Sequence, residues 1–404
     1  MRTIVIAATA ITAIATCFGA IAPTTELEEI VVTPSRRDML LRETSDHIQV
    51  INRKQIEQLK PASTGELLEY ATGVAVETGT GSGLPDRSIV SLNGLPANYT
   101  LVLVDGVRLV SDHIHSGQNL ELVPVNAIER IEIMRTAGSA QYGADAIGGV
   151  VNIITRKGKA EPSGTINAAA GSYNTYEGGI GMQLPLGDAA RLSTFLNWEQ
   201  SDGVPLIAPA HRVNNMGYER LNLLTRLDAN LSEATRVYAW LNYAKNTVDW
   251  RGDDADSYLL MPSVGLHHDV GENLTLATEI SYSYWKADVN NEKNQIFEPK
   301  AYATWQISDL HTFMGGVDFR HNEFRRTAVE APDQRTYGVF IQDDWRVSDL
   351  LSLTPSLRYD KTENINSALS PKLSALLSPS EKVRIRAAVA RGFHAPTLQE
   401  LYEE

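Results

Sequence analysis

The side chains best suited to bind or react fall in three places. His113-Ile114-His115, followed by Ser116, sets two imidazoles on alternate positions of a polar stretch. Imidazole ligates heme iron and other transition metals, so these residues are candidate ligand contacts; the alternative is a solvated loop tip. Asp249, Asp253, Asp254 and Asp256 form an acidic cluster that reads as a segment between strands. Carboxylate-rich loops hold calcium, but the spacing matches no EF-hand, and a solvated loop is the reading retained. His267-His268 suits a wet face. The sequence offers no Ser/His/Asp grouping, no Gly-rich phosphate loop and no His-x-x-x-His zinc spacing. No catalytic residue, cofactor or resident metal is therefore expected, and the chain does not read as an enzyme.

Charge and cysteine content narrow the classes further. The 404 residues carry a formal charge of -13, the wrong sign for a nucleic-acid partner, which calls for a basic patch or stripe. Cys17 is the single cysteine, which excludes an intramolecular disulfide and a multi-cysteine zinc site. It lies in a run from Ile4 to Ala22, behind Arg2, that has the length and flanks of a secretory signal. Residues 1–22 are thus expected to be removed, with cleavage after Ala20 or Ala22. A lipidated Cys17 is the alternative, against which stands the bulk of Thr16. No later stretch reaches the ~20 apolar residues of a spanning helix. A chain of this kind crosses a membrane only as a barrel.

The elements that would carry these residues change character along the chain. All six tryptophans follow residue 190, marking a boundary near residue 158. Residues 23–45 are polar, of mixed charge and expected to be flexible. Within them Glu29, Ile30, Val31, Val32, Thr33 and Pro34 form a β-prone run. Such a run can be a stray strand of the next domain, or an exposed segment that pairs edge-on with another protein's sheet. Residues 46–157 alternate short strands and helices: a strand at His47–Ile51, a helix from the capping box Ser63-Thr64-Gly65-Glu66 to Tyr70, strands at 88–92, 100–104, 128–134 and 150–155, and a hairpin turn at Asp105-Gly106. Beyond residue 160, strands of about ten residues alternate in polarity. Leu221, Leu223, Thr225 and Leu227 oppose Arg220, Asn222, Leu224 and Arg226. Leu274, Leu276, Thr278, Ile280, Tyr282 and Tyr284 oppose Thr275, Ala277, Glu279, Ser281 and Ser283. Turns are expected at Gly187-Asp188, Gly271-Glu272-Asn273, Ser308-Asp309, Ser348-Asp349 and Ser378-Pro379-Ser380. The pattern predicts an N-terminal α+β domain followed by an antiparallel transmembrane β-barrel; a soluble β-sandwich is the alternative.

Four segments carry a resemblance to a known family: Glu29 to Pro34, Leu101-Val102-Leu103-Val104-Asp105-Gly106-Val107-Arg108, Ile128-Glu129-Arg130-Ile131-Glu132, and Tyr142 to Thr155. Tyr337 to Val347, Leu353 to Asp360 and Arg391 to Tyr402 extend it. The chain resembles the TonB-dependent outer-membrane receptors, especially the siderophore, vitamin B12 and colicin-receptor branch. The resemblance implies a signal peptide (1–22), an arm with the TonB box (23–45), a plug (46–157) and barrel strands from 158 to 404, in the outer membrane of a Gram-negative bacterium. It implies as partners the TonB energy-transducing complex, outer-membrane lipid, the barrel-assembly machinery and a scarce-nutrient ligand. That ligand is expected to be a ferric siderophore, with cobalamin or heme as alternatives. His113, His115 and Ser116 would lie in the plug loop that faces it.

Two departures follow. Family plugs carry an Arg-Gly pair at two places, facing barrel carboxylates. Here the first reads Asn93-Gly94 and the second Arg135-Thr136, leaving Arg135 as the plug–barrel charge contact. The family barrel has about 22 strands around its plug, whereas about a dozen are expected here. The chain is therefore expected to be C-terminally truncated and to form no closed pore by itself. A non-transporting remnant, or a protein binding through its plug alone, is the reading of a different class.

Overall fold

The computed structural model describes residues 30–402 except 34, 79–87, 111–117, 204, 208–212, 216, 251–252, 289–290, 328, 331–332 and 397. The N-terminal part begins with a small hairpin, β1 (Ile30–Val31) against β2 (Met39–Leu40). Then come β3 (Ile48–Asn52), α1 (Arg53–Leu59), α2 (Thr64–Glu69), β4 (Val74–Thr78), β5 (Ser88–Leu92), β6 (Thr100–Val104), β7 (Val107–Arg108), β8 (Ile128–Met134), α3 (Ser139–Tyr142) and β9 (Gly149–Thr155). Five of these strands form one sheet in the order β3-β8-β9-β6-β7. All its pairs are antiparallel except β6 with β9.

β9 is the centre of this sheet and is buried at every position. That explains its near-continuous apolar run, since a strand covered on both faces has no polar side to show. Its one polar residue before the terminal threonine, Asn152, is satisfied: it accepts from Gly106 N (3.2 Å) and donates to Thr33 Oγ1 (3.1 Å). The strand starts at Gly149, whose φ is +134°. A Cβ there would stand 2.4 Å from the Met134 carbonyl oxygen, so only glycine fits.

The helices start where their caps are. Ser63 accepts from Glu66 N (3.1 Å), but Glu66 reaches back to Ala62 N rather than to Ser63. The reciprocal capping box belongs to α1, where Asn52 and Gln55 exchange bonds. Asp105 and Gly106 both take positive φ, as the tight β6–β7 turn requires.

The second part is one antiparallel sheet. Its strands are β10 (Ser163–Gly171), β11 (Thr175–Leu186), β12 (Ala190–Ser201), β15 (Tyr218–Asn230), β16 (Thr235–Trp250), β17 (Asp253–Val270), β18 (Leu274–Ala287), β19 (Glu292–Gln306), β20 (His311–Arg326), β22 (Gln334–Arg346), β23 (Leu351–Thr362), β24 (Ala368–Ser380) and β25 (Val383–Ala390), in that order. A short hairpin, β13 (Pro205–Ile207) with β14 (Val213–Asn215), precedes β15, and β21 (Val329–Glu330) pairs with β20. Helix α4 (Leu398–Tyr402) follows β25. Among the described residues β10 and β25 each pair on one side only, so this thirteen-strand path is a partial barrel, open at both edges.

Alternation assigns the two faces. Asn222, Leu224 and Arg226 of β15 are buried on the concave side, while Leu221 and Leu227 are exposed on the convex side. Ile180, Leu196, Val264, Ile280, Val317, Val339, Ile341 and Val389 stand on that same convex face, all exposed. A continuous apolar belt of this kind is what a lipid-facing barrel wall presents. The first part packs into the concavity: Leu109, Val110, Leu120, Leu122 and Val123 share a core with Trp240, Leu259, Met261 and Trp285 of the sheet. Two expectations need correction. Ser378-Pro379-Ser380 lies inside β24, and the turn falls at Glu381-Lys382; Pro379 stands where the pairing with β25 becomes irregular. The acidic cluster lies not between strands but at the ends of β16 and β17, where Asp249 pairs across from Asp254.

Candidate functional site

The β-prone run at residues 30–33 is stored against the plug-like domain. Val31 is fully buried, packed among Ile48, Leu101, Leu103, Met134 and Val150. The amides of Val32 and Thr33 donate to Glu132 Oε2 at 2.9 and 2.8 Å, and Thr33 Oγ1 donates to the same oxygen at 2.6 Å. Tyr142 OH donates to the Thr33 carbonyl (3.0 Å). Glu132 is itself buried, with Arg130 Nε 2.8 Å away. From Val31 on, the expected flexible, exposed arm is thus corrected; residues 23–29 lie outside the described residues. Ser35, Thr44 and Ser45 are buried too: Ser35 lies against Met39, Ser45 Oγ accepts from Thr354 Oγ1 of β23 (3.2 Å), and the Thr44 carbonyl accepts from Arg386 Nε of β25 (3.0 Å). Ile30 is half exposed. Glu29 and Pro34 lie outside the described residues.

Arg135 also needs correction. Its guanidinium donates to Gln49 Oε1 (2.7 Å) within the same domain, not to a carboxylate of the sheet. Burial lowers its pKa. At the other expected arginine place, Asn93 has φ +56° and bonds the carbonyls of Arg135 (3.0 Å) and Gly148 (2.9 Å). Asparagine fits that left-handed turn, and it ties the two places together without charge.

The charged seam between domain and sheet runs through other residues. Asp105 meets Arg226 at 3.1 Å, Glu121 meets Arg220 at 3.6 Å, Arg108 meets Glu298 at 3.7 Å, Asp46 meets Lys372 at 2.7 Å and Arg37 meets Asp344 at 2.7 Å. Gly143, with φ +79°, lies against the Arg358 guanidinium, which Asp318 and Asp360 hold at 2.7 Å each. Arg108, Glu298, Arg320 and Arg358 line this seam together. Burial, with Arg320 beside it, pushes the Arg108 guanidinium down to about 10 against the pull of Asp145 and Glu298. Burial would raise the Asp145 carboxyl, but the His394 ring 3.0 Å away and the Arg108 charge hold it below the usual range. Arg108 and Asp105 read in sequence only as strand and turn. Their partners across the seam, Arg226 and Glu298, lie over a hundred positions away, and of the two only Arg226 showed in the sequence, as an inward residue of an alternating strand.

His113, His115 and Ser116 lie outside the described residues. Asp256, of the acidic cluster, is taken up by Lys245 (3.0 Å), Thr247 (2.6 Å) and Tyr258 (2.7 Å), so its oxygens are already engaged.

Comparisons with known proteins agree with this architecture. The TonB-dependent Receptor Plug Domain family model matches residues 40–150, and the TonB dependent receptor-like beta-barrel model matches residues 135–404. The chain is 25% identical to the vitamin B12 transporter BtuB of Photobacterium profundum over 92% of its own length and 63% of that protein's. It is 28% identical to an iron-regulated outer membrane virulence protein of Vibrio cholerae, over 93% and 61%. The fold matches a crystal structure of a ferric enterobactin receptor (PfeA) mutant from Pseudomonas aeruginosa with a TM-score of 0.78 at 18% identity, covering 88% of this chain and 63% of that one. The chain thus spans somewhat under two thirds of the length of these relatives.

Proposed function

The chain belongs to the TonB-dependent receptors of the outer membrane, and from that premise we propose that it serves the energised uptake of a scarce nutrient, with a ferric siderophore as the substrate class. The observation that carries this reading is the stored segment. A β-prone strand is held by one buried carboxylate, on a domain seated by ion pairs in a barrel-like sheet. Withdrawal of residues 29–34 would free the edge of Ile30–Val31 for strand addition to TonB. It would also strip Glu132 of its Val32 and Thr33 donors and leave it only Arg130, so that pull on the segment is felt at β8 and β9 in the middle of the plug. Binding and gating then need no chemistry on the substrate, only a change between two packed arrangements.

The siderophore reading draws on the iron-regulated relative and on the ferric enterobactin receptors of like fold. Cobalamin is the second reading, drawn from the vitamin B12 transporters among the relatives, and heme the third. His113, His115 and Ser116 are the residues proposed to touch the ligand. The test is uptake of radiolabelled ferric catecholate, cobalamin and heme by cells that express the chain and lack their own receptors, with and without TonB. TonB-dependent iron uptake supports the proposal, and TonB-dependent cobalamin or heme uptake moves it to the other substrate. Equal retention of all three with and without TonB sinks it. Replacing both histidines by alanine should then weaken retention of the ligand that is taken up.

A further inference from the structure

His321, Glu323 and Asp333 turn one atom each toward a common point. His321 Nε2 stands 3.1 Å from Glu323 Oε1 and 3.8 Å from Asp333 Oδ2. The three facing atoms all lie within 4.8 Å of one another, and among the described residues this is the one place where three such donors meet so closely. Strand geometry accounts for the first two, since His321 and Glu323 are alternate residues of β20 and share its convex face. Asp333 joins them from just ahead of β22, whose Gln334 pairs with Asn322. No sequence spacing announces the group, because Asp333 comes in from the far side of β21.

The outer oxygens of both carboxylates are held by other side chains. Gln295 Nε2 of β19 donates to Glu323 Oε2, and Tyr282 OH of β18 donates to Gln295 Oε1 at 2.6 Å. Arg325 donates to Asp333 Oδ1 at 2.9 Å. These donors leave Glu323 Oε1 and Asp333 Oδ2 facing the imidazole. Outer bonds of this kind are what orient the ligands of a metal ion. Along its convex face β20 runs Val317, Phe319, His321, Glu323, Arg325: aliphatic, aromatic, then polar. That order leads from the lipid belt through an aromatic girdle into water. The side chains of His321, Glu323 and Asp333 are 23%, 28% and 37% exposed, so an ion can enter and keep a water ligand.

Charge alone does not hold an ion here. Arg325 also lies 3.9 Å from Glu323, and Lys293 stands directly across from Arg325. A hard cation such as calcium, which takes ~6–8 oxygens, meets two carboxylates already offset by these cations. An ion that also bonds well to imidazole nitrogen is favoured instead. We propose that His321, Glu323 and Asp333 bind a zinc ion, with water at the fourth, open position. Zinc bonds of about 2.0–2.2 Å to nitrogen and oxygen set neighbouring ligand atoms about 3.3 Å apart. The His321–Glu323 separation is close to this, and a small turn of the exposed Asp333 side chain completes the set. The competing cation is a proton, since a charged imidazole bridges the same two carboxylates and zinc must displace it. The ion ties the end of β20 to the start of β22. The proposal rests on these side chains and not on transport, so zinc binding and uptake can fail separately.

The full chain, without a histidine tag, is purified in non-ionic detergent and stripped with chelator. It is then titrated with zinc chloride by calorimetry and with cobalt chloride by visible absorption. A single zinc should bind at this site, and cobalt should give visible bands that zinc removes. His321→Ala, or Glu323→Gln combined with Asp333→Asn, should weaken zinc binding about tenfold or more. His267→Ala combined with His268→Ala should leave it unchanged. His321→Cys should keep the site and add a sulfur-to-cobalt band in the near ultraviolet that the unaltered chain lacks, which puts the ion at this residue. Absence of zinc binding by the unaltered chain overturns the proposal. So does zinc binding unchanged by His321→Ala, absence of the new band from His321→Cys, or calcium bound as tightly as zinc.

Discussion

Glu132 holds the backbone of Thr33: its Oε2 accepts both the Thr33 amide, at 2.8 Å, and the Thr33 hydroxyl, at 2.6 Å. The carboxylate also takes the Val32 amide at 2.9 Å and faces Arg130 at 2.8 Å. Hydrogen bonds to an ionised acceptor contribute about 1.5–3 kcal/mol each, and a buried carboxylate deprived of them is costly. The segment and the plug sheet are therefore stabilised together, and loosening one loosens the other. Proline at Val31 would break this storage as well as any later strand addition, so Ile30, half exposed, is the better place to follow coupling.

Glu132→Gln should shift residues 30–33 toward the released state. Glutamine keeps one acceptor oxygen but loses the charge, and its amide hydrogens would meet the amides of Val32 and Thr33. A loss of about 1.5–3 kcal/mol corresponds to roughly a tenfold to hundredfold gain of the released form. A spin label on Ile30→Cys reads this directly as a mobile component in the spectrum. A label equally immobile with and without the Glu132→Gln replacement would rule out the latch.

Lys372 and Asp46 make a buried plug–barrel pair at 2.7 Å, and Asp46 also accepts from Ser374 (2.8 Å) and Thr136 (3.0 Å). Lys372→Met leaves the carboxylate in place without its cation and should cost about 3–5 kcal/mol. Adding Asp46→Asn removes the stranded charge and should restore much of that loss. Thermal unfolding in detergent of both single variants and the double one measures the coupling. Additive losses would mean that the pair does not act as a unit.

The sequence showed the plug strands, the Asp105-Gly106 turn and the polarity of the sheet because each is a local or alternating pattern. Leu221, Leu223, Thr225 and Leu227 share a face by simple period two. The site was less legible. Nothing local in Glu132 distinguishes it from Glu129, three residues earlier; only the distance of 99 positions to Thr33, closed by the fold, makes it the latch. Arg135 stands at one of the two places where family plugs carry an arginine facing a barrel carboxylate, yet Gln49 on the adjacent β3 satisfies it. The helix at Arg53–Leu59 has a cap in Asn52 and Gln55 that a search limited to Ser and Thr starts passes over.

Gly149→Ala should unfold the plug. The residue sits at φ +134°, and its Cβ would fall 2.4 Å from the Met134 carbonyl oxygen and 2.8 Å from Leu92 Cδ1. Moving a carbonyl of β8 breaks the β8–β9 pairing on which Glu132 and Asn152 both stand. Both the backbone strain and the clash argue for a loss well above the ~1 kcal/mol of an average substitution. Proteolysis of the folded chain in detergent should show new cleavage within residues 46–157, with the sheet's own fragment surviving. A protease pattern identical to that of the unaltered chain would show that the strand start has more room than the geometry allows.

Glu121 gives a pH dependence with a definite sign. Burial holds its carboxyl above the usual carboxylate range, in spite of Arg220 and the hydrogen bonds from Ser88 and Ser63. Unfolded, the group titrates near 4.5. Between that value and the higher folded one, the folded chain keeps a proton that the unfolded chain has lost. Its contribution is therefore fully present below 4.5 and declines as pH rises through the folded value. Glu121→Gln should flatten this part of the stability profile. It should cost little near neutrality, because glutamine still accepts from Gly65 N (3.3 Å in the parent) and Arg220 keeps Glu199 at 3.3 Å. Thermal unfolding of both proteins in detergent from about pH 4 to about pH 8 gives the comparison. Two curves of the same shape, displaced only in height, would show that Glu121 titrates alike in both states and that its burial is offset by its partners.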